Sequence, residues 1–209
     1  MVIVMLFCVS QLTAFAQMGG ADKPSGAGLI TFELTGSPFN NDDALLTPGV
    51  FRARYFVMDN LAARLSTWFD MSSNRVVPET VYNYSYFSLR PGAEFHMPGS
   101  SRVAPYVGGE LIFDGAGSNK TTEVGVPLTG AWDTNLTNRG FFSWGMAAVC
   151  GADYYMGGGF YFGIEVGLEF TRTGFAEVLL GDDVFAGKTA KNSFNTVLTN
   201  SFRFGYAFQ

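Results

Sequence analysis

The sequence predicts an all-β protein, an eight-stranded antiparallel up-and-down transmembrane β-barrel with a polar, charge-filled interior. Three observations support this fold class. Eight segments alternate apolar and non-apolar residues, the connections between them are alternately long and short, and the charged strand residues lie opposite the aromatic ones. This combination is typical of barrels whose aromatic face contacts lipid and whose polar face lines the lumen.

The clearest strand signal covers residues 160–172, with the sequence FYFGIEVGLEFTR. Its even-numbered positions from Phe160 to Phe170 are all large and apolar, whereas the odd-numbered positions carry glycines, Glu165 and Glu169. Successive side chains of a strand point to opposite faces, so this period of two predicts one apolar and one polar face.

Four predicted strands precede the middle of the chain, at residues 29–34, 50–57, 61–71 and 82–95. Each shows the same alternation; for example, Phe51, Ala53, Tyr55 and Val57 oppose Arg52, Arg54 and Phe56. A turn-rich stretch at residues 35–48 separates the first two strands, and tight turns follow at 58–60 and 96–101. Pro91 lacks a backbone donor, so we expect a bulge or other irregularity there.

The second half contains predicted strands at 103–113, 141–155, 160–172 and 192–208. Residues 114–139 and 173–191 are predicted loops, and the sequence MGGG at 156–159 is a predicted tight turn. Short turns thus fall near residues 58, 98 and 157, and longer loops near 42, 77, 126 and 182. Short turns at one end and long loops at the other are the up-and-down arrangement of outer-membrane barrels.

The N-terminus has the features of an export signal. Residues 2–10 are mostly apolar, and Ala14 and Ala16 are the small residues expected before a cleavage site. The sequence therefore predicts a signal peptide at 1–16, a short lead at 17–26 and a barrel at 27–209. The net charge of −5 argues against nucleic acid as a partner.

The positions of the charged residues decide which face is inside. Twelve charged residues share the non-aromatic face: Glu33, Arg52, Arg54, Arg64, Asp70, Arg90, Glu94, Glu110, Asp153, Glu165, Glu169 and Arg203. Charges buried in an apolar core cost several kcal/mol each unless they are paired. The lumen of an eight-stranded barrel is just wide enough for side chains. We therefore expect an arginine–carboxylate network that closes the lumen.

The segment GADYYMGGGFYFGIEVGLE at 151–169 and the closing FRFGYAF at 202–208 resemble the small bacterial barrels grouped as OmpA, OmpX and OmpW-like proteins. The resemblance covers the chain from about Ala27 onward. It implies insertion into a Gram-negative outer membrane by the barrel-assembly machinery, with outer-membrane lipid and lipopolysaccharide as surroundings. Phe208, an aromatic residue near the C-terminus, matches the assembly signal of such proteins, although Gln209 follows it.

The sequence predicts no catalytic, metal or cofactor site. Barrel enzymes that act on lipids use a histidine near the outer rim with a serine or carboxylate partner. The one histidine, His96, falls in a predicted short turn, where we expect it to be exposed and remote from that rim. The stretch from Asp114 to Asn119 lacks the ligands that a calcium loop requires.

Two predicted outer loops are unusually apolar. They contain Leu45, Leu46, Leu179, Leu180, Val184 and Phe185. These residues either pack on each other as a lid or form a contact surface. The sequence thus favours a non-enzymatic structural or interaction component, with an outer-membrane protein partner as a hypothesis. The alternative is an OmpW-like carrier of small hydrophobic molecules.

Overall fold

The computed structural model describes residues 26–36, 50–77, 80–122, 125–197 and 202–208. The predicted signal peptide, Leu45 and Leu46 lie outside these ranges. Twelve strands form within them: β1 (Ile30–Gly36), β2 (Val50–Met58), β3 (Leu61–Val77), β4 (Thr80–His96), β5 (Val103–Thr122), β6 (Leu128–Thr129), β7 (Phe141–Gly157), β8 (Phe160–Phe175), β9 (Val178–Leu180), β10 (Asp183–Ala186), β11 (Thr189–Val197) and β12 (Phe202–Phe208). No helix long and apolar enough to cross a membrane occurs in the described ranges.

Eight strands close into a ring. Neighbours pair antiparallel in the order β1, β2, β3, β4, β5, β7, β8 and β12, and β12 returns to β1. The closing ladder runs from Ile30 opposite Phe208 to Gly36 opposite Phe202. The predicted eight-stranded antiparallel barrel is therefore confirmed. We call the end with the short connections, near residues 59, 99 and 158, the turn end, and the opposite end the loop end.

The last predicted strand, 192–208, appears as two segments on one neighbour. β12 pairs with the turn-end half of β8, and β11 pairs with its loop-end half, where Phe194 lies opposite Phe170. Residues 198–201 between them lie outside the described ranges.

Several strands run farther than the alternation predicted. β3 and β4 stay paired out to Val77 opposite Thr80, and β5 continues to Thr122. The predicted loop at 114–139 is therefore wrong for its first nine residues. Its start, with the sequence DGAGSNKTT, is made of small and polar residues and has no apolar face, but backbone hydrogen bonds to β4 hold it as strand. The predicted loop at 173–191 likewise contains the short paired strands β9 and β10.

The expected irregularity at Pro91 is small. On the β5 side, Leu89 lies opposite Phe113 and Gly92 opposite Glu110, so the register is the same before and after the proline. The ladder with β3 continues through Leu65 opposite Pro91. The missing donor interrupts the pairing locally without inserting a residue, so there is no bulge at this position.

The barrel has an apolar outside and a charged inside. Its outward side chains leave a belt of large apolar residues exposed, including Phe32, Phe51, Leu65, Phe87, Leu111, Trp144, Met146, Phe162, Ile164, Phe170 and Phe204. Its fully buried side chains include Arg54, Arg203, Glu33, Glu94 and Asp153. This arrangement inverts that of a soluble protein and matches a barrel surrounded by lipid.

Candidate functional site

The lumen is filled by charged side chains from the ring strands. Eleven of the twelve charged residues predicted to face the lumen are buried or half-buried there, and Asp70 is exposed near the loop end of β3. Nine of the buried residues form one connected cluster, which we call the plug: Glu33, Arg52, Arg54, Arg64, Glu94, Glu110, Asp153, Glu165 and Arg203.

Arg54 lies at the centre of the plug and contacts three carboxylates. Its Nη2 is 2.6 Å from Glu33 Oε1, and its Nη1 is 2.8 Å from Asp153 Oδ2 and 3.0 Å from Glu94 Oε2. Arg203 bridges two of the same acids, with Nη2 2.5 Å from Asp153 Oδ1 and Nη1 3.3 Å from Glu33 Oε2. Each carboxylate therefore has arginine partners on more than one strand, which offsets the desolvation of the buried charges.

A second layer lies on the loop side of this centre. Glu165 accepts hydrogen bonds from Arg52 Nη2 at 3.1 Å and from Arg64 Nη1 at 2.8 Å. Arg64 also reaches Glu94 and Glu110, at 2.7 and 2.6 Å. The hydroxyl of Tyr106 donates to Glu165 Oε2 at 2.6 Å. The residues of this layer connect β2, β3, β4, β5 and β8 across the lumen.

Glycines on the inner face make room for these side chains. A Cβ at Gly163 would lie 2.5 Å from Arg203 Nη2, and one at Gly205 would lie 2.3 Å from the Tyr161 ring. A side chain at Gly163 would press on Arg203 of the plug, and one at Gly205 would press on Tyr161, whose hydroxyl donates to Glu33. The alternation of glycine with carboxylate on β8 therefore serves the close approach of side chains from opposite walls.

A smaller cluster lies nearer the loop end. Arg90 contacts Asp114 at 3.1 Å and Glu169 at 3.0 Å, and Ser88 Oγ donates to Asp114 Oδ1 at 2.6 Å. Asp114 was missed from the sequence because it was assigned to a loop. Its position four residues after Glu110 keeps the inward parity of β5, and extending the predicted strand by one residue beyond Phe113 would have identified it.

His96 is buried, and the prediction that it is exposed is wrong. Its side chain is 7% exposed, and Nε2 lies 3.1 Å from Glu94 Oε2. The ring packs between Phe56 and Tyr106, at centroid distances of 4.9 and 5.3 Å. The even parity that places Glu94 in the lumen also places His96 there, so the strand simply continues to this residue.

The loop-end apolar residues divide into two groups. Val178 is fully buried against Leu128 and Ala131, and Leu180 packs against the same cluster. Val184 and Phe185 on β10 are 59% and 46% exposed. Packing between the third and fourth loops thus accounts for part of the apolar set.

These contacts join opposite walls of the lumen by charge pairing. Arginine occupies the space between the carboxylates from opposite walls, at distances of 2.5 to 3.5 Å in the plug. Among the described residues, no group of three histidine, cysteine or acidic side chains is placed to hold a metal ion. The arrangement is suited to holding the walls together and blocking passage.

Neither a protein-family model nor a curated protein sequence matches the chain. Several solved structures are similar at low identity. The outer membrane protein AlkL is 15% identical over 93% of this chain and 94% of its own, with a TM-score of 0.43. OprG of Pseudomonas aeruginosa is 14% identical over 88% and 98%, with a TM-score of 0.43. Ail, the attachment invasion locus protein of Yersinia pestis, is 14% identical over 89% and 99%, with a TM-score of 0.39.

Proposed function

We propose that this outer-membrane-type barrel is a non-enzymatic, non-conducting component of a Gram-negative outer membrane, which acts through its wall and its loop-end surface. The observation that carries the proposal is the plug. A barrel that passed solutes along its axis would need an open lumen, whereas here Arg54 and Arg203 join acids of β1, β4 and β7 across it.

The position of His96 supports the absence of catalysis. It lies at the turn end, hydrogen-bonded to Glu94 and enclosed by two aromatic rings. A general base must reach the proton that it abstracts from a substrate. A histidine that contacts the plug from the turn end is remote from any substrate that approaches the loop end.

The carrier alternative requires an apolar lumen above the plug, whereas the described lining on that side is mixed. It includes Val50, Trp68, Ala147 and Val149, but also Arg52, Arg90, Glu110 and Glu169. Removing water from these charged side chains to bind a hydrophobic molecule would cost free energy. The interaction hypothesis is instead supported by the exposed apolar side chains of Val184 and Phe185 on β10, which could contact a partner.

Ion conductance across a planar lipid bilayer tests the proposal. The wild-type barrel is expected to give no current steps. The double variant Arg203→Ala with Asp153→Ala removes one ion pair without changing the net charge, and it is expected to open the lumen and conduct. The matched control, Arg172→Ala with Glu177→Ala, alters two exposed residues and should stay silent. Wild-type current steps equal to those of the plug variant would refute the closed lumen.

Co-purification tests the interaction role. The native protein is extracted from isolated outer membranes in mild detergent, and stoichiometric partners are identified by mass spectrometry. The variant Val184→Asp with Phe185→Asp is expected to lose the partner, while Lys188→Ala keeps it. A partner retained by the β10 variant would remove that surface from the proposal.

A further inference from the structure

A cavity of about 450 Å³ lies in the lumen on the loop side of the plug. Its volume falls within the range of small-molecule sites. Arg52, Glu110 and Glu165 of the plug contribute to its lining. Val50 of β2, Ala147 and Val149 of β7 and residues of β3, β4, β8 and β11 complete it. We call this space the outer chamber.

One side of the outer chamber is aromatic. Trp68 of β3 lies opposite Ser88 of β4, and Asp70 lies opposite Tyr86, so the Trp68 and Tyr86 side chains are diagonal neighbours on the inner face. Both rings line the cavity and both are only half-buried. The electron-rich faces of tryptophan and tyrosine attract cations and stack on flat groups.

Two glutamates of the lining have carboxylate oxygens without a partner among the described residues. Glu169 Oε2 accepts a hydrogen bond from Arg90, while its Oε1 has no partner among the described residues. Glu110 Oε1 accepts a hydrogen bond from Ser66 Oγ and forms an ion pair with Arg64. Its Oε2 is likewise unpaired within the described ranges. Both oxygens belong to side chains that line the cavity.

The charge balance of the lining also favours a cation. Two arginines, Arg52 and Arg90, face three glutamates, Glu110, Glu165 and Glu169, which leaves one net negative charge. The guanidinium groups of both arginines are already bonded to serine hydroxyls and carboxylates. An anion would therefore have to displace existing ion pairs, whereas a cation can use the open carboxylate oxygens.

A metal ion and an apolar molecule fit less well. A divalent ion needs several converging oxygen ligands, and no such group of acidic side chains exists among the described residues. A purely apolar ligand would bury charged groups without replacing their hydration. In a ligand with an ammonium group attached to a flat apolar group, the ammonium can bind the carboxylate oxygens and the apolar group can stack on the aromatic rings.

We propose that the outer chamber is a binding site for a small organic cation, a primary amine or quaternary ammonium with a flat apolar group. The ammonium lies beside Glu169 and Glu110, and the apolar group stacks against Trp68 and Tyr86. This proposal depends on the proposed closed plug only for the floor of the chamber. The ligand is thus held at the loop end and does not pass through the barrel.

Isothermal titration of the full-length barrel in lipid nanodiscs tests this site, with benzyltrimethylammonium as the probe. Benzyl alcohol is the neutral control and benzoate the anionic control. The probe is expected to bind at one site per barrel, with both controls at least about tenfold weaker, since a desolvated cation–carboxylate and cation–aromatic contact is worth about tenfold in affinity.

Two loss-of-function variants are expected to weaken probe binding. Glu169→Gln and Trp68→Leu should each raise the Kd about tenfold, while Trp144→Leu, on the lipid-facing wall, leaves it unchanged. Asn195 lies directly opposite Glu169. Asn195→Asp adds a carboxylate beside the ammonium and should tighten binding about threefold, the gain expected from one partly exposed ion pair. Misfolding cannot mimic that gain.

Four results would overturn the site. They are the absence of saturable binding of the probe, equal binding of benzyl alcohol or benzoate, a Kd insensitive to Glu169→Gln, and displacement of the probe by millimolar Ca²⁺, which would assign the chamber to a metal. The outcome is separable from that of the conductance experiment. A silent barrel that does not bind the probe refutes only the chamber, and a conducting barrel that binds it refutes only the closed plug.

Discussion

Replacing Arg54 with methionine removes the cation on which three buried acids converge. Its guanidinium contacts Glu33, Glu94 and Asp153 at 2.6 to 3.0 Å, and all four side chains are fully buried. Methionine keeps most of the volume, so the substitution tests charge rather than packing.

The expected loss follows from the remaining partners. Glu33 and Asp153 keep Arg203, and Glu94 keeps Arg64. One carboxylate charge is nevertheless left without compensation in the lumen. Removing one partner of a buried ion pair costs about 3–5 kcal/mol. Because Arg203 and Arg64 still compensate part of the acidic charge, we expect the free energy of unfolding to fall by about 3 kcal/mol, the lower end of that range.

Urea unfolding in phosphatidylcholine vesicles, followed by tryptophan fluorescence and by the migration of unheated samples on gels, measures this loss. Arg75→Met, on the exposed loop end of β3, is the matched control and should change the free energy of unfolding by less than about 0.5 kcal/mol. Adding Glu94→Gln to Arg54→Met removes the excess charge and should restore part of the loss. If Arg54→Met unfolds within about 0.5 kcal/mol of the control, the plug does not support the barrel as argued.

Three further outcomes are expected. Gly163→Ala places a Cβ 2.5 Å from Arg203 Nη2 and should lower the free energy of unfolding by about 1–3 kcal/mol, measured by the same titration; an unchanged midpoint would contradict the close packing. Met146→Arg puts a charge on the lipid-facing wall and should cost about 2–4 kcal/mol of folding into vesicles if the residue lies near the bilayer midplane; a neutral effect would place it outside the lipid. In the outer loop, hydrogen bonds from Thr137 lower the pKa of Asp133. The order that they confer is therefore fully present above the ordinary pKa of 3.8 and is lost as the pH falls through the lowered pKa of the folded state. Hydrogen exchange of the Thr137 amide should accelerate at low pH in wild type, and a rate independent of pH, after correction for intrinsic exchange, would refute the linkage.

The alternation of side chains was enough to predict the barrel and most of its interior. On β8, glycine and glutamate alternate with large apolar residues, and parity alone assigned Glu165 and Glu169 to the lumen. The same rule correctly oriented Arg52 and Arg54 on β2. Period two is a local property of an extended chain, so it can be recognised without knowing any partner strand.

Strand length could not be obtained in this way. The loop end of β5 has no apolar face because it extends beyond the apolar belt, and the ladder to β4 holds it. The predictions of a loop position for Asp114 and an exposed turn position for His96 are therefore wrong. Both residues keep the inward parity of their strands, but how far a strand continues depends on pairing with its neighbour, which is a non-local contact.

By itself, the sequence determined that this chain is a barrel, which face meets lipid and most of the charges that line the lumen, because all three follow from side-chain parity along single strands. The tertiary structure alone decided which arginine pairs with which acid, and it placed Trp68 and Tyr86 across from Glu169 around a cavity. Those contacts join residues far apart in the chain, such as Arg203 and Glu33, and depend on the order and register in which the ring closes.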